Sequence, residues 1–207
     1  MDRTCFQYGS TETEYLKSKC DKMALLIDRY GLIERRVIPD LFSALVSSII
    51  SQQVSAKAAD SVFQKLTDRF GAITAKGMDE AESDEIRLCG MSGRKAEYIK
   101  GIAKEVVSGR LKPRELSEMT DEEVIKRLSA LKGIGVWSAE MLLIFSLERP
   151  DVVSYGDLAI RRGMRKLYGL HTLSKKEFLG YRQLYSPYGT VASFYIWEHA
   201  HDQSDGS

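Results

Sequence analysis

Leu131-Lys132-Gly133-Ile134-Gly135-Val136-Trp137-Ser138-Ala139 separates two stretches of helical periodicity and is the most informative segment of the chain. Gly133 and Gly135 permit backbone angles that other residues resist, and they put no side chain in the way of a close ligand. Ile134, between them, is placed to pin the turn to a core. A helix beginning here leaves its first amides without partners in the helix. Those amides, at the positive end of the helix dipole, suit an anion. Ser138 offers a hydroxyl and Lys132 a cation. Alone, a Gly-x-Gly step between helices is equally what a plain tight turn looks like, since glycine is a common turn residue.

Outward from this hairpin the pattern stays helical. Val136 to Leu147 reads as a strongly apolar helix, and Thr120-Asp121-Glu122-Glu123 is a capping-box opening to a helix running from Val124 to Leu131. Leu41, Leu45, Ser48 and Ile49 share one face, widened by Phe42 and Val46, as in a buried helix. Ala56 to Phe70 continues the pattern and stops at Gly71; Ser92 to Val107 carries Ala96, Ile99, Ala103 and Val106 before Gly109. Asp157 opens a helix ending near Gly169, and Pro187 opens a last one reaching about Ala200. The tail from His201 to Ser207 is expected to fray. No alternating run bounded by hairpin turns stands out, so the expected fold is all-α.

With 207 residues, 43% of them hydrophobic, the chain is long enough to bury a core without disulfides or metals, and a wholly disordered protein is excluded. The net charge of +1 neither demands nor excludes a nucleic-acid partner. Its distribution says more. Asp79, Glu80, Glu82, Asp84 and Glu85 crowd one segment, whereas from Asp157 to Arg182 seven basic residues face two acidic ones. That basic stretch fits a phosphate-rich ligand, or simply solvated helix faces. No apolar signal core or membrane-length run is visible, so no membrane partner is expected and the protein reads as intracellular: cytoplasm or nucleoid in a prokaryote, nucleus in a eukaryote. Cys5, Cys20 and Cys89 are odd in number and widely spaced, which argues against a disulfide framework, a zinc site or an iron–sulfur cluster.

The hairpin, followed by Val153-Ser154-Tyr155-Gly156-Asp157-Leu158-Ala159-Ile160 and preceded by Ser47-Ser48-Ile49-Ile50-Ser51-Gln52-Gln53-Val54-Ser55, resembles the helix–hairpin–helix (HhH-GPD) DNA glycosylase superfamily. The resemblance covers about Asp40 to Ala200 and is greatest to the alkylation-repair branch, 3-methyladenine DNA glycosylase II. It implies two helical lobes, 36–137 and 1–35 with 138–207, an active-site cleft between them, and no N-terminal β domain. It implies hydrolysis of the N-glycosidic bond of 3-methyladenine or 7-methylguanine in double-stranded DNA, leaving an abasic site. It also implies a monomer that needs no organic cofactor, with sodium or potassium as a candidate ligand of the 131–135 hairpin carbonyls.

Within the resemblance, Asp157 matches the catalytic aspartate. A fixed anion there would stabilise the positive charge that develops on the sugar as the base leaves. The other reading of Asp157 is a plain helix N-cap, and one residue can do both. Family members that also cut the backbone carry a lysine where this chain has Trp137, so no lyase activity is expected. Trp137 and Trp197 match base-pocket tryptophans whose faces suit a cationic alkylated purine; as unplaced residues they read equally well as core. Met141 and Leu158 stand where a relative has tyrosines, and Tyr155 is the candidate to restore aromatic surface. Gln53 is expected to insert into the duplex with Gln52 supporting it, although a polar pair at a helix end is the simpler reading. Two alternatives stand beside this function: a glycosylase for hypoxanthine, ethenoadenine or 8-oxoguanine, and a non-catalytic binder of damaged DNA.

Overall fold

The computed structural model describes residues 5–202; of the expected frayed tail, all but His201 and Asp202 lies outside the described residues. These residues form the helices α1 (Ser10–Lys19), α2 (Asp21–Tyr30), α3 (Leu41–Ser51), α4 (Ala56–Phe70), α5 (Ala75–Glu80), α6 (Ser83–Leu88), α7 (Gly93–Val107), α8 (Asp121–Ser129), α9 (Val136–Phe145), α10 (Leu158–Tyr168), α11 (Lys175–Tyr185) and α12 (Gly189–His201). A short 3-10 turn, Pro113–Glu118, precedes α8. Among the described residues the only β-type pairing is an isolated bridge, Cys5 with Arg36. No described helix is long and apolar enough to cross a membrane.

The chain divides into two compact units, one of residues up to Val37 with Glu148 onward, the other Ile38–Leu147. The central unit is built round α3. Leu41, Phe42, Leu45, Val46, Ile49 and Ile50 are all buried there, each contributing roughly 1.5–3 kcal/mol, and the helix packs on α4, α7 and α9. Its N-cap, Asp40, accepts the Ser43 amide at 2.8 Å. The capping box at Thr120 opens α8, three residues earlier than Val124.

Helix α9 belongs wholly to this unit, so the division falls ten residues later than the expected 137/138. The reason is its apolar surface: Ala139, Leu142, Leu143 and Ile144 are buried, and α9 packs on α3 and α8. The Ile38 amide donates to the Phe145 carbonyl at 2.7 Å, closing the unit where α9 ends. The helix stops there, short of Leu147. The acidic segment becomes α5 and α6, where Glu85 pairs with Arg69 at 2.6 Å and Asp84 with Arg87 at 3.0 Å.

The terminal unit is organised round α12, which is buried from Gly189 to Ile196. It packs on α1, α2, α10 and α11. Two N-terminal helices, α1 and α2, contribute. Helix α12 starts at Gly189, after Pro187, because the Asp151 carboxylate accepts the Gly189 amide at 3.1 Å and the Ser186 hydroxyl at 2.7 Å. Tyrosine hydroxyls stitch this unit: Tyr195 donates to the Gly31 carbonyl, Tyr8 to that of Ile33, Tyr15 to that of Ser186, and Tyr168 pairs with Tyr185. Cys5 and Cys20 lie in the terminal unit and Cys89 in the central one.

Candidate functional site

In the central unit the two hairpin glycines do different jobs. Gly133 has φ +91°, and a Cβ on it would run into the Tyr98 ring of α7; it is glycine for the fold's sake. Around Gly135, by contrast, no atom lies within 4 Å of where a Cβ would stand. It is the N-cap of α9 and offers no side chain to cap the helix. The first hydrogen bond of α9 runs from the Ala139 amide to the Gly135 carbonyl at 2.9 Å. Ile134 is buried and pins the turn, while Lys132, Gly135, Val136 and Trp137 are exposed. Ser138 differs from expectation. It is 5% exposed, packed inward on the face of α9 that carries Ala139 and Leu142, so its hydroxyl is not presented on the surface.

Gln52 and Gln53 end α3. The Gln52 side-chain amide donates to the Gly133 carbonyl at 2.7 Å and is half-buried. Gln53 is exposed and left-handed, with φ +59°, a conformation that glutamine adopts at some cost. One residue is thus anchored to the hairpin and its neighbour projects. Beside them an apolar recess of about 310 Å³ is lined by Trp137, Met141 and Phe145 of α9 and by Ser47, Ser48 and Gln52 of α3. Trp137 is 48% exposed, so its indole is a wall of this recess and not core.

In the terminal unit Asp157 is the N-cap of α10 and 7% exposed. Its Oδ1 accepts the Ile160 amide at 2.8 Å and the Trp197 Nε1–H at 3.3 Å. The cap reading is therefore correct as geometry, and an indole has been added to it. Two features bring Trp197 there. A Cβ on Gly163 would meet the Ile196 carbonyl and the Ala200 side chain, so only glycine at this place lets α12 press against α10. The Trp197 ring is also held by Phe194, stacked with centroids 6.2 Å apart.

Tyr155 sits edge-on to Phe178 at 5.1 Å, with the Arg161 guanidinium 5.2 Å from its ring centre. Its ring is committed to packing within the unit. Leu158, next to the aspartate, is 73% exposed. Sequence reasoning passed over Gly163, although an interior glycine in a helical run is itself a sign of close packing. It also passed over Asp151 and Tyr98, for which no local signal exists. Among the described residues no group of three or more His, Cys, Asp or Glu is placed to hold a metal ion.

Comparisons with known proteins point to one family. The model of the HhH-GPD superfamily of base excision DNA repair proteins matches residues 46–183, taking in Gln52, the hairpin and Asp157 and stopping short of Trp197. A curated relative, DNA-3-methyladenine glycosylase 1 of Schizosaccharomyces pombe, is 37% identical over 166 residues, covering 76% of this chain and 71% of its own. A solved DNA-3-methyladenine glycosidase from Bacillus halodurans superposes with a TM-score of 0.85 at 35% identity, over 98% of this chain and 94% of that one. The Schizosaccharomyces pombe 3-methyladenine DNA glycosylase, solved in complex with abasic DNA, gives a TM-score of 0.80 at 30% identity, over 94% and 98% of the two chains. Family model, sequence and fold agree, and the chain belongs to the HhH-GPD superfamily of base excision DNA repair proteins.

Proposed function

We propose that this protein is a monofunctional DNA glycosylase that hydrolyses the N-glycosidic bond of alkylated purines such as 3-methyladenine and 7-methylguanine in double-stranded DNA, acts as a monomer in the compartment holding that DNA, and leaves an abasic site. The observation that carries it is the Asp157 carboxylate, held at the start of α10 by a backbone amide and an indole N–H on one oxygen. The names of the relatives supply the substrate class, and the abasic DNA bound to the Schizosaccharomyces pombe enzyme is the product of base removal.

In this reading the base departs with the electrons of the C1′–N bond, and a cationic alkylated purine leaves neutral. Asp157 stands against the positive charge left on the sugar, an electrostatic effect worth about 3–4 kcal/mol in comparable sites. A water attacks C1′ and its proton passes to the carboxylate. Anchoring of Oδ1 keeps the carboxylate from rotating away as charge develops. Trp137 puts an indole where backbone-cutting relatives need an amine, so no Schiff base forms. Trp137 and Met141 offer an apolar, aromatic surface to a base out of the stack, and the Trp197 face attracts a cationic one.

The amides at the start of α9 and Lys132 take backbone phosphate at the open side of Gly135, and Gln53 fills the gap in the duplex. A sodium or potassium ion at the hairpin would use main-chain carbonyls of 131–135, of which those of Leu131, Gly133 and Gly135 each already accept one hydrogen bond.

The test is chromatography of bases released from methylated DNA by wild type and by Asp157→Asn. Asparagine is as good an N-cap as aspartate, so the variant keeps the fold. Release should fall about 10²–10³-fold with duplex binding retained. An equally active variant would remove Asp157 from the chemistry. A wild type that binds damaged duplex and releases nothing would favour the non-catalytic binder, and release confined to hypoxanthine, ethenoadenine or 8-oxoguanine would change the substrate.

A further inference from the structure

We infer that Lys95 is a positioning residue for base opening: it clamps the end of α3 so that Gln53 is held ready to enter the duplex. This rests on the glycosylase reading for its substrate, but its geometry lies wholly within the central unit. The last carbonyls of a helix have no partners inside it and sit at the negative end of the dipole. At the end of α3 the Lys95 ammonium, reaching across from α7, donates to the Ile50 carbonyl at 2.8 Å and the Gln52 carbonyl at 2.7 Å. Gln53 follows at once, in its left-handed conformation. A strained residue of this kind persists only where its surroundings over-determine it. Lys95 supplies that constraint on one side, through the main chain immediately before Gln53.

The other side is the hairpin. The Gln52 side chain donates to the Gly133 carbonyl at 2.7 Å, and Gly133 lies against the ring of Tyr98. Lys95 and Tyr98 are three apart on α7 and so share one face. A single helix face therefore supports both the inserting loop and the phosphate-facing turn, fixing the spacing between the group that grips the backbone and the group that enters the stack. Burial depresses the Lys95 pKa below its usual value, a desolvation effect that the two carbonyl acceptors oppose. A surface lysine kept for general charge would not be spent on two main-chain acceptors.

The function of such a clamp is to lower the cost of opening a paired nucleotide, so its loss should matter only where opening is costly. The experiment uses the full chain and two readouts on each of two DNAs, one with the alkylated purine fully paired and one with it opposite no partner base. A 2-aminopurine beside the lesion reports opening, and single-turnover base release reports chemistry. Lys95→Met should reduce both about tenfold on the paired DNA, in line with the loss of hydrogen bonds from a charged donor, and by less than about twofold on the unpaired one, where flipping is cheap. Lys95→Arg should restore most of the loss, and Lys95→Gln serves in place of Lys95→Met if the latter does not fold. Gln53→Gly, which keeps the backbone comfortable, should show the same paired-only defect, and combining it with Lys95→Met should add little. Equal losses on both DNAs, no loss, or full additivity would overturn the inference. Opening by wild type that is weakened in Lys95→Met, with no base released by either, would support the clamp and refute only the glycosylase reading.

Discussion

Asp157 in the terminal unit is held by a local backbone amide and by an indole from α12, whereas the hairpin in the central unit is held by the Gln52 side chain and by Tyr98 of α7. Nine of the ten tyrosines belong to the terminal unit, and several spend their hydroxyls on carbonyls far away in sequence. In the central unit the corresponding long-range ties are an ammonium and an amide on helix-end and hairpin carbonyls. Under the proposed function, the difference follows from what each unit would have to present. A carboxylate facing a sugar cation must be rigid in orientation, which demands that α10 and α12 be locked together. A surface that takes phosphate must leave amides uncovered, which demands that nothing but glycine stand in front of them.

The sharpest way to test this contrast is within the hairpin. Gly133→Ala combines a positive φ with a clash against Tyr98 and should cost about 2–4 kcal/mol of stability, read as a lowered denaturation midpoint. Gly135→Ala should cost about 1 kcal/mol or less, the price of a poorer N-cap, while weakening duplex binding at every sequence in an anisotropy titration. Equal behaviour of the two variants would erase the distinction between a glycine kept for packing and one kept for the ligand.

In the terminal unit, Trp197→Phe keeps an aromatic face and removes the N–H to Asp157. Base release should fall about tenfold, alike for cationic 7-methylguanine and neutral hypoxanthine. A loss confined to the cationic base would assign Trp197 to the base and not to the carboxylate.

The smallest effect expected near neutral pH concerns the tyrosines. Burial is the main cause that raises the pKa of Tyr168, Tyr185 and Tyr195 above the usual value, and all three lie in the terminal unit. A group whose folded pKa is raised contributes stability that is complete below its unfolded value, about 10, and is lost as pH rises through the folded one. The terminal unit should therefore weaken first in alkali. Each unit carries one tryptophan, so fluorescence of Trp137→Phe and Trp197→Phe during denaturant unfolding at pH 9 and pH 11 separates them. Coincident loss in both units would contradict the assignment.

Much of this was legible locally. Thr120, Ser92, Ser55 and Asp157 cap helices where their residue types say they should, and Gly71 and Gly169 end them. Helix α1 was missed because only Leu16 in it is buried, leaving no periodicity to read. Helices α5 and α6 have six residues each, too few to show a period of 3.6. Among the candidate site residues, Ser138 lies on the buried face of α9 and the Tyr155 ring packs edge-on against Phe178 of α11, a matter of neighbours distant in sequence.

By itself the sequence determined the helical class, the caps, the glycine hairpin and the candidate carboxylate, since all of these depend on residues within a turn or two of one another. Only the tertiary structure decided that Gly133 and Gly135 differ, that Trp197 reaches Asp157 across Gly163, and that Lys95 holds the end of α3. Those facts arise where helices meet, and the pairing of surfaces depends on close packing among residues that local periodicity does not connect.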